Sequence, residues 1–121
     1  MKTVLIVEDT KDYAENLRVI LLQAGYNVVV ALDGKEGLEQ AIHIKPDLIL
    51  MDLLMPEQDG VETTIKIKEN ESLKNVPVIF LTAVTSGEDV TTSVNGKDIF
   101  TISKMVNQEK LLNKIREYLE K

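Results

Sequence analysis

The sequence predicts an α/β domain with a doubly wound sheet of five parallel strands and five helices. Short apolar or β-branched runs alternate with segments of helical period, which is typical of a parallel sheet covered on both faces. The chain has 121 residues, of which 44% are hydrophobic, so one core can form. No linker, internal repeat or low-complexity segment interrupts the pattern. We therefore expect a single domain over residues 1–121.

Five runs have the composition and length of buried strands. The first is rich in β-branched residues, and the fourth opens at Pro77, a residue that does not continue a helix. The predicted strands cover residues 3–7, 27–31, 47–51, 78–81 and 99–103.

Helices are predicted in the intervening segments from apolar residues that recur on one face. The first begins near Lys11 and ends at Gly25, whereas the second is capped by Asp33, with Glu36 completing a capping box, and ends before Pro46. The third is expected over residues 61–69. The last helix has four apolar residues on its buried side: Leu111, Leu112, Ile115 and Leu119.

The fourth helix is expected within residues 88–94 and is the weakest of the five. This segment is rich in β-branched and hydroxyl side chains, which lose conformational freedom in a helix or compete for its backbone hydrogen bonds. The pattern predicts the least stable helix of the domain here.

Carboxylates follow two of the predicted strands at the point where each strand ends. Glu8 and Asp9 come after the first strand, and Asp52 comes after the third. In a doubly wound sheet these two strands lie side by side at the switch point, so the three carboxylates should converge in one crevice. Because isolated buried anions are costly, such a cluster needs a cation, and hard carboxylate oxygens suit Mg²⁺.

Asp52 is the candidate nucleophile of this crevice. A bound Mg²⁺ would screen the charge of an incoming phosphoryl group and leave one carboxylate able to attack phosphorus. Thr82 ends the fourth strand and Lys104 follows the fifth, so a hydroxyl and an ammonium group would complete the rim.

Over essentially its whole length the sequence resembles the response-regulator receiver domains of two-component signalling, which have the flavodoxin-like topology. The resemblance rests on residues that match the family pattern at the expected spacing: Glu8, Asp9, Asp52, Pro56, Asp59, Gly60, Thr82, Ala83 and Lys104. It implies that Asp52 is the phosphoacceptor. It also implies that Asp9, Asp52 and the backbone carbonyl of Leu54 bind Mg²⁺ directly, with Glu8 acting through water. Lys104 would then pair with the phosphate, and Thr82 would move toward it.

The resemblance also implies partners. The phosphodonor would be a sensor histidine kinase or a histidine phosphotransferase, and the output would be a downstream effector protein or a fused output domain. Such a domain catalyses only its own phosphotransfer and dephosphorylation. The sequence leaves open whether phosphorylation drives dimerisation and whether the chain acts alone or forms part of a longer protein.

Two positions depart from the family pattern. Met105 follows Lys104 where the family usually has a proline, often with a cis bond, and without proline a cis bond costs about 2.5 to 4 kcal/mol. Thr101 stands where the family has its aromatic switch residue, and Phe100 lies one place earlier. Either Phe100 serves through a shifted register or the aromatic coupling is missing, and the two options place the ring on opposite faces.

Composition excludes several other functions. The chain has no Cys, which rules out disulfides and thiolate chemistry. Its net charge of −6 repels a phosphate backbone, so direct nucleic-acid binding is not expected. No apolar run approaches the roughly 20 residues that span a bilayer, and no signal peptide precedes the first strand, so we expect a cytoplasmic protein without membrane contact.

One competing interpretation and one refinement remain. Met105 and the displaced aromatic residue also fit a receiver-like interaction module that is not phosphorylated. If Asp52 is phosphorylated, Leu54 and Val84 are apolar where polar groups could orient a hydrolytic water, which predicts slow self-dephosphorylation.

Overall fold

A six-stranded sheet with helices on both faces forms the domain in the computed structural model, which describes residues 1–53, 55, 59–83 and 90–120. The strand order is β2-β1-β3-β4-β6-β5. The strands are β1 (Thr3–Val7), β2 (Asn27–Ala31), β3 (Leu48–Asp52), β4 (Val78–Thr82), β5 (Val90–Val94) and β6 (Lys97–Ser103). The helices within the described ranges are α1 (Lys11–Gln23), α2 (Gly34–Ile44), α3 (Gly60–Glu69) and α4 (Gln108–Leu119).

Two apolar layers, one on each face of the sheet, form the core. Alternate strand residues point to opposite faces, so Ile6 packs with α1 and α4 while its neighbours Leu5 and Val7 pack with α2 and α3. The central strands β1 and β3 are almost entirely buried, which agrees with their continuous apolar sequences. Five strands run parallel, so the predicted doubly wound α/β fold is confirmed.

The prediction of a helix within residues 88–94 was wrong. Residues Val90–Val94 form β5, which pairs antiparallel with β6 and adds a sixth strand to the sheet. The two strands are joined by Asn95 and Gly96, both with positive φ (50° and 80°), the conformation of the two-residue turns that fit a hairpin's twist. The β-branched and hydroxyl residues that weakened the expected helix are those that favour a strand. Residues 84–89 lie outside the described part of the chain.

Side-chain caps fix where three helices begin. The Asp33 carboxylate accepts a hydrogen bond from the backbone N–H of Glu36 at 2.8 Å, as the sequence predicted for α2. Asp59 and Asn107 cap α3 and α4 in the same way. Among the described helices, none combines the length and the hydropathy that a bilayer crossing requires.

Candidate functional site

Three carboxylates meet at the carboxyl edge of the sheet. Strands β1 and β3 are neighbours, with Val7 opposite Met51, so Glu8 and Asp9 leave β1 beside Asp52, the last residue of β3. One carboxylate oxygen from each of Glu8, Asp9 and Asp52 lies within 4.8 Å of the others. The chain topology therefore brings together the three acidic residues that the sequence placed in one crevice.

The buried position of two of these groups makes their charge costly. Glu8 is fully buried and Asp52 is 3% exposed. Burial raises the pKa of the Asp52 carboxyl from 3.8 to about 7, and the negative charge of Glu8 adds to the shift, whereas Lys104 opposes it. The cluster thus holds more negative charge than its surroundings neutralise.

Lys104 provides the positive charge next to these carboxylates. Its Nζ lies 2.6 Å from Glu8 Oε1 and 3.3 Å from Asp52 Oδ2. The backbone explains this placement, because the Lys104 N–H donates to the Thr82 carbonyl at 2.8 Å and so continues the β4–β6 ladder past its last paired residues. Burial by itself lowers the pKa of Lys104, but its hydrogen bond to Glu8 and the charges of Glu8 and Asp52 raise it overall.

Further contacts hold Glu8 in place. Its backbone N–H donates to the Ala31 carbonyl at 3.0 Å, and its Oε2 accepts from the Thr10 N–H at 3.0 Å. Glu8 is therefore held at both its backbone N–H and its second carboxylate oxygen, while its first carboxylate oxygen contacts Lys104.

Tyr13, on the first turn of α1, also belongs to the site and was missed in the sequence analysis. Lys104 Nζ lies 5.0 Å from the centroid of its ring. Burial, followed by the charges of Glu8 and Asp52, raises the pKa of the Tyr13 hydroxyl to about 12. The available signal was an aromatic residue one helical turn beyond the acidic pair, on the partly buried side of α1.

The loop after Asp52 approaches the strand so closely that it requires a glycine. A Cβ atom on Gly60 would lie 2.2 Å from the Asp52 carbonyl oxygen, and the Gly60 N–H donates to the Leu53 carbonyl at 3.0 Å. This explains the Asp59-Gly60 pair noted in the sequence, since Asp59 caps α3 while Gly60 allows the helix to begin against β3. Leu54 and Pro56, two other expected residues of this loop, lie outside the described residues.

The other expected residues lie on β4, on β6 and just after β6. Thr82 ends β4, partly exposed, on the strand that neighbours β3. Met105 is 79% exposed, and the described residues contain no cis peptide bond, as the absence of a proline at that position predicted. Thr101 is buried opposite Phe80, and Phe100 packs on the other face, with Lys114 Nζ 4.4 Å from its ring centroid.

The donor set fits a divalent metal ion. Three carboxylate oxygens converge, hard oxygen ligands are those that Mg²⁺ prefers, and Lys104 brings one positive charge against three carboxylates. Glu8, Asp9 and Asp52 are the described residues that could hold the ion.

Comparison with known proteins identifies the class. Residues 4–116 match the model of the response regulator receiver domain family. The polar-differentiation response regulator DivK of Brucella anthropi is 34% identical over 119 residues, which cover 98% of this chain and 96% of DivK.

Two solved structures have the same fold as this chain. The chemotaxis protein CheY4 of Vibrio cholerae superposes with a TM-score of 0.86 at 29% identity, covering 98% of this chain and 99% of CheY4. The response regulator TrrA of Thermotoga maritima, solved in complex with Mg²⁺-BeF, gives a TM-score of 0.83 at 28% identity over 98% of this chain and 100% of TrrA.

The chain therefore belongs to the response regulator receiver domain family and is a signalling module of the two-component type. The family assignment made from the sequence is confirmed, and so is the flavodoxin-like fold. Receiver domains bind Mg²⁺ in an acidic pocket, which here corresponds to the cluster of Glu8, Asp9 and Asp52.

Proposed function

We propose that residues 1–121 act as one phosphoacceptor domain in which Asp52 receives a phosphoryl group from a phosphohistidine. The donor would be a sensor histidine kinase or a histidine phosphotransferase in the cytoplasm. The observation that supports this most strongly is the position of Asp52, a carboxylate only 3% exposed that lies 3.3 Å from Lys104 Nζ and beside two further carboxylates.

The chemistry is a single displacement at phosphorus. An Asp52 carboxylate oxygen attacks the phosphoryl group, the P–N bond to the donor histidine breaks, and its electron pair returns to the imidazole ring. Asp9, Asp52 and the Leu54 carbonyl would hold Mg²⁺ directly and Glu8 would hold it through water, and the ion when bound screens the negative charge on the transferring group. Lys104 would exchange its contact with Glu8 for one with a phosphoryl oxygen, and water later hydrolyses the acyl phosphate.

Phosphorylation would be read out through Thr82 and Lys104. The backbones of the two residues are joined by a hydrogen bond from the Lys104 N–H to the Thr82 carbonyl, which connects β4 with the residue after β6. The added charge would favour a second conformation of the surface next to β6 and α4, where an effector protein or a fused output domain binds. The domain would act on its own phosphoryl group and on no other substrate.

Intact-mass spectrometry after incubation with acetyl phosphate and Mg²⁺ tests the proposal. The wild type should gain one phosphoryl group, Asp52→Asn should gain none, and Asp98→Asn, which alters an exposed aspartate of β6, should behave as the wild type. A chelator should abolish the adduct. An unmodified wild type would instead favour the alternative of a receiver-like interaction module that is not phosphorylated.

We also propose that the phosphoryl group on Asp52 is long-lived. Leu54 and Val84 are apolar, so neither side chain can orient a hydrolytic water, and dephosphorylation should be slow. Decay of the phosphoryl adduct should accelerate in Leu54→Asn and stay unchanged in Leu54→Met. Equal decay rates in all three proteins would contradict this explanation.

A further inference from the structure

We propose that β5 is a dimerisation strand: two copies of this chain join their sheets by pairing β5 with β5 antiparallel about a two-fold axis at Thr92. Strand β5 is the first strand of the hairpin that replaces the expected fourth helix. The pairing would form in the unphosphorylated protein, so it does not depend on the function proposed for Asp52.

Strand β5 is an edge strand of the sheet. It pairs with β6 on one side and is the last strand in the order, so within the described part of the chain nothing pairs with its outer edge. An edge strand presents a row of N–H and C=O groups that can accept another strand.

The hairpin register shows which backbone groups form that row. Val94 and Lys97 flank a two-residue turn, so they exchange both of their backbone hydrogen bonds, and pairs of this kind alternate along an antiparallel ladder. Thr92 therefore also bonds to β6, whereas Thr91 and Ser93 belong to the intervening pairs. Their N–H and C=O groups point away from β6, to the outer edge.

The edge lacks the features by which proteins usually block such pairing. Residues Val90–Val94 contain no charged residue, no proline and no glycine, and the strand is five residues long and unbroken. Thr91 and Ser93, the residues with outward backbone groups, are both exposed. A strand of this composition pairs readily with another strand.

The strand is also complementary to itself. A two-fold axis at Thr92 places Thr91 of one copy opposite Ser93 of the other, and both of these residues point their backbone groups outward. Each of the two symmetric pairs then exchanges two N–H···O=C hydrogen bonds, and the neighbouring hydroxyl side chains lie close enough to interact. No like charges meet at the strand, although each chain carries a net charge of −6. This symmetry favours a second copy over an unrelated peptide as the occupant.

Cysteine cross-linking tests the position of the axis, because the chain has no cysteine of its own. Thr92 would face its counterpart in a pair that is not hydrogen-bonded, where Cα atoms lie about 4.5 Å apart, a separation that a disulfide can bridge. Under oxidised glutathione, unphosphorylated Thr92→Cys should form a covalent dimer at least tenfold faster than Gln23→Cys, which alters an exposed residue at the end of α1. Equal rates would overturn the proposed axis.

Sedimentation of Ser93 variants tests the ladder. Ser93→Pro removes an outward N–H that the hairpin does not use, so β5–β6 pairing should survive, whereas Ser93→Ala keeps the N–H. The wild type and Ser93→Ala should dimerise with rising concentration, and Ser93→Pro should stay monomeric with an unchanged circular dichroism spectrum. A wild type that is monomeric throughout, or a Ser93→Pro that dimerises equally, would overturn the proposal. Phosphorylation of Asp52, scored by mass, is independent of either result.

Discussion

Replacing Asp52 by asparagine should stabilise the metal-free protein at alkaline pH. The Asp52 pKa lies at about 7 in the folded domain instead of 3.8, because the carboxylate is buried beside Glu8. Between those values the folded protein binds a proton that the unfolded chain has lost, so stability falls as pH rises through this window. Above about pH 7 this loss of stability is complete. The asparagine side chain of the variant stays uncharged, so the variant avoids the loss.

The magnitude follows from the size of the shift. A shift of about three pKa units corresponds to about 4 kcal/mol, at roughly 1.4 kcal/mol for each unit. Lys104 is partly exposed, so solvent screens these charges in part, and Lys104 loses its contact with a charged Asp52 in the variant. We therefore expect a gain of about 1 to 2 kcal/mol in the free energy of unfolding.

Urea denaturation in the presence of a chelator measures the effect. At about pH 8 Asp52→Asn should be the more stable protein, and at about pH 4 the difference should largely disappear. Glu39→Gln, which neutralises an exposed carboxylate of α2, should change stability little. Added Mg²⁺ should reduce the difference because it binds the wild-type cluster more tightly. A variant that is no more stable than the wild type at about pH 8 would refute the reasoning.

Three further predictions concern a close backbone approach, a buried hydroxyl and the hairpin turn, and urea denaturation measures the change in stability for each. Gly60→Ala should lower the free energy of unfolding by about 2 kcal/mol or more, because its Cβ would lie 2.2 Å from the Asp52 carbonyl oxygen. Equal stability would show that the loop relaxes freely. Thr64→Val should raise the free energy of unfolding by about 1 kcal/mol, since the buried Thr64 hydroxyl has no hydrogen-bond partner among the described residues. A lower free energy of unfolding in this variant would reveal a partner. Gly96→Ala should lower the free energy of unfolding by about 1 kcal/mol, because φ is +80° at this position. An unchanged free energy of unfolding would contradict the assigned turn.

The fold was largely predictable because its elements carry strong local signals. The buried strands β1 and β3 are continuous apolar runs, and Asp33 caps α2 as expected. The hairpin was not predicted, because residues 88–94 were assigned from their place in an alternating pattern of strands and helices. Their β-branched composition and the Asn95-Gly96 pair, a strong hairpin signal, pointed to the observed structure.

The acidic cluster was predictable for a different reason. Carboxyl ends of neighbouring parallel strands meet at one edge, so strand assignment alone placed Glu8, Asp9 and Asp52 together. Tyr13 could not be assigned in the same way, because its contact with Lys104 depends on how α1 lies over the crevice. The contact between Lys104 and Glu8 was also not foreseen, because the sequence shows that Lys104 follows the last parallel strand but not which carboxylate its side chain reaches.

Locating the modified residue tests the central claim most directly. The wild type would be incubated with acetyl phosphate and Mg²⁺, any acyl phosphate reduced with borohydride to the alcohol, and the digested peptides sequenced by mass spectrometry. The proposed chemistry predicts reduction at Asp52 and at no other carboxylate. Reduction at Glu8 or Asp9, or a phosphoryl group that resists borohydride, would contradict it.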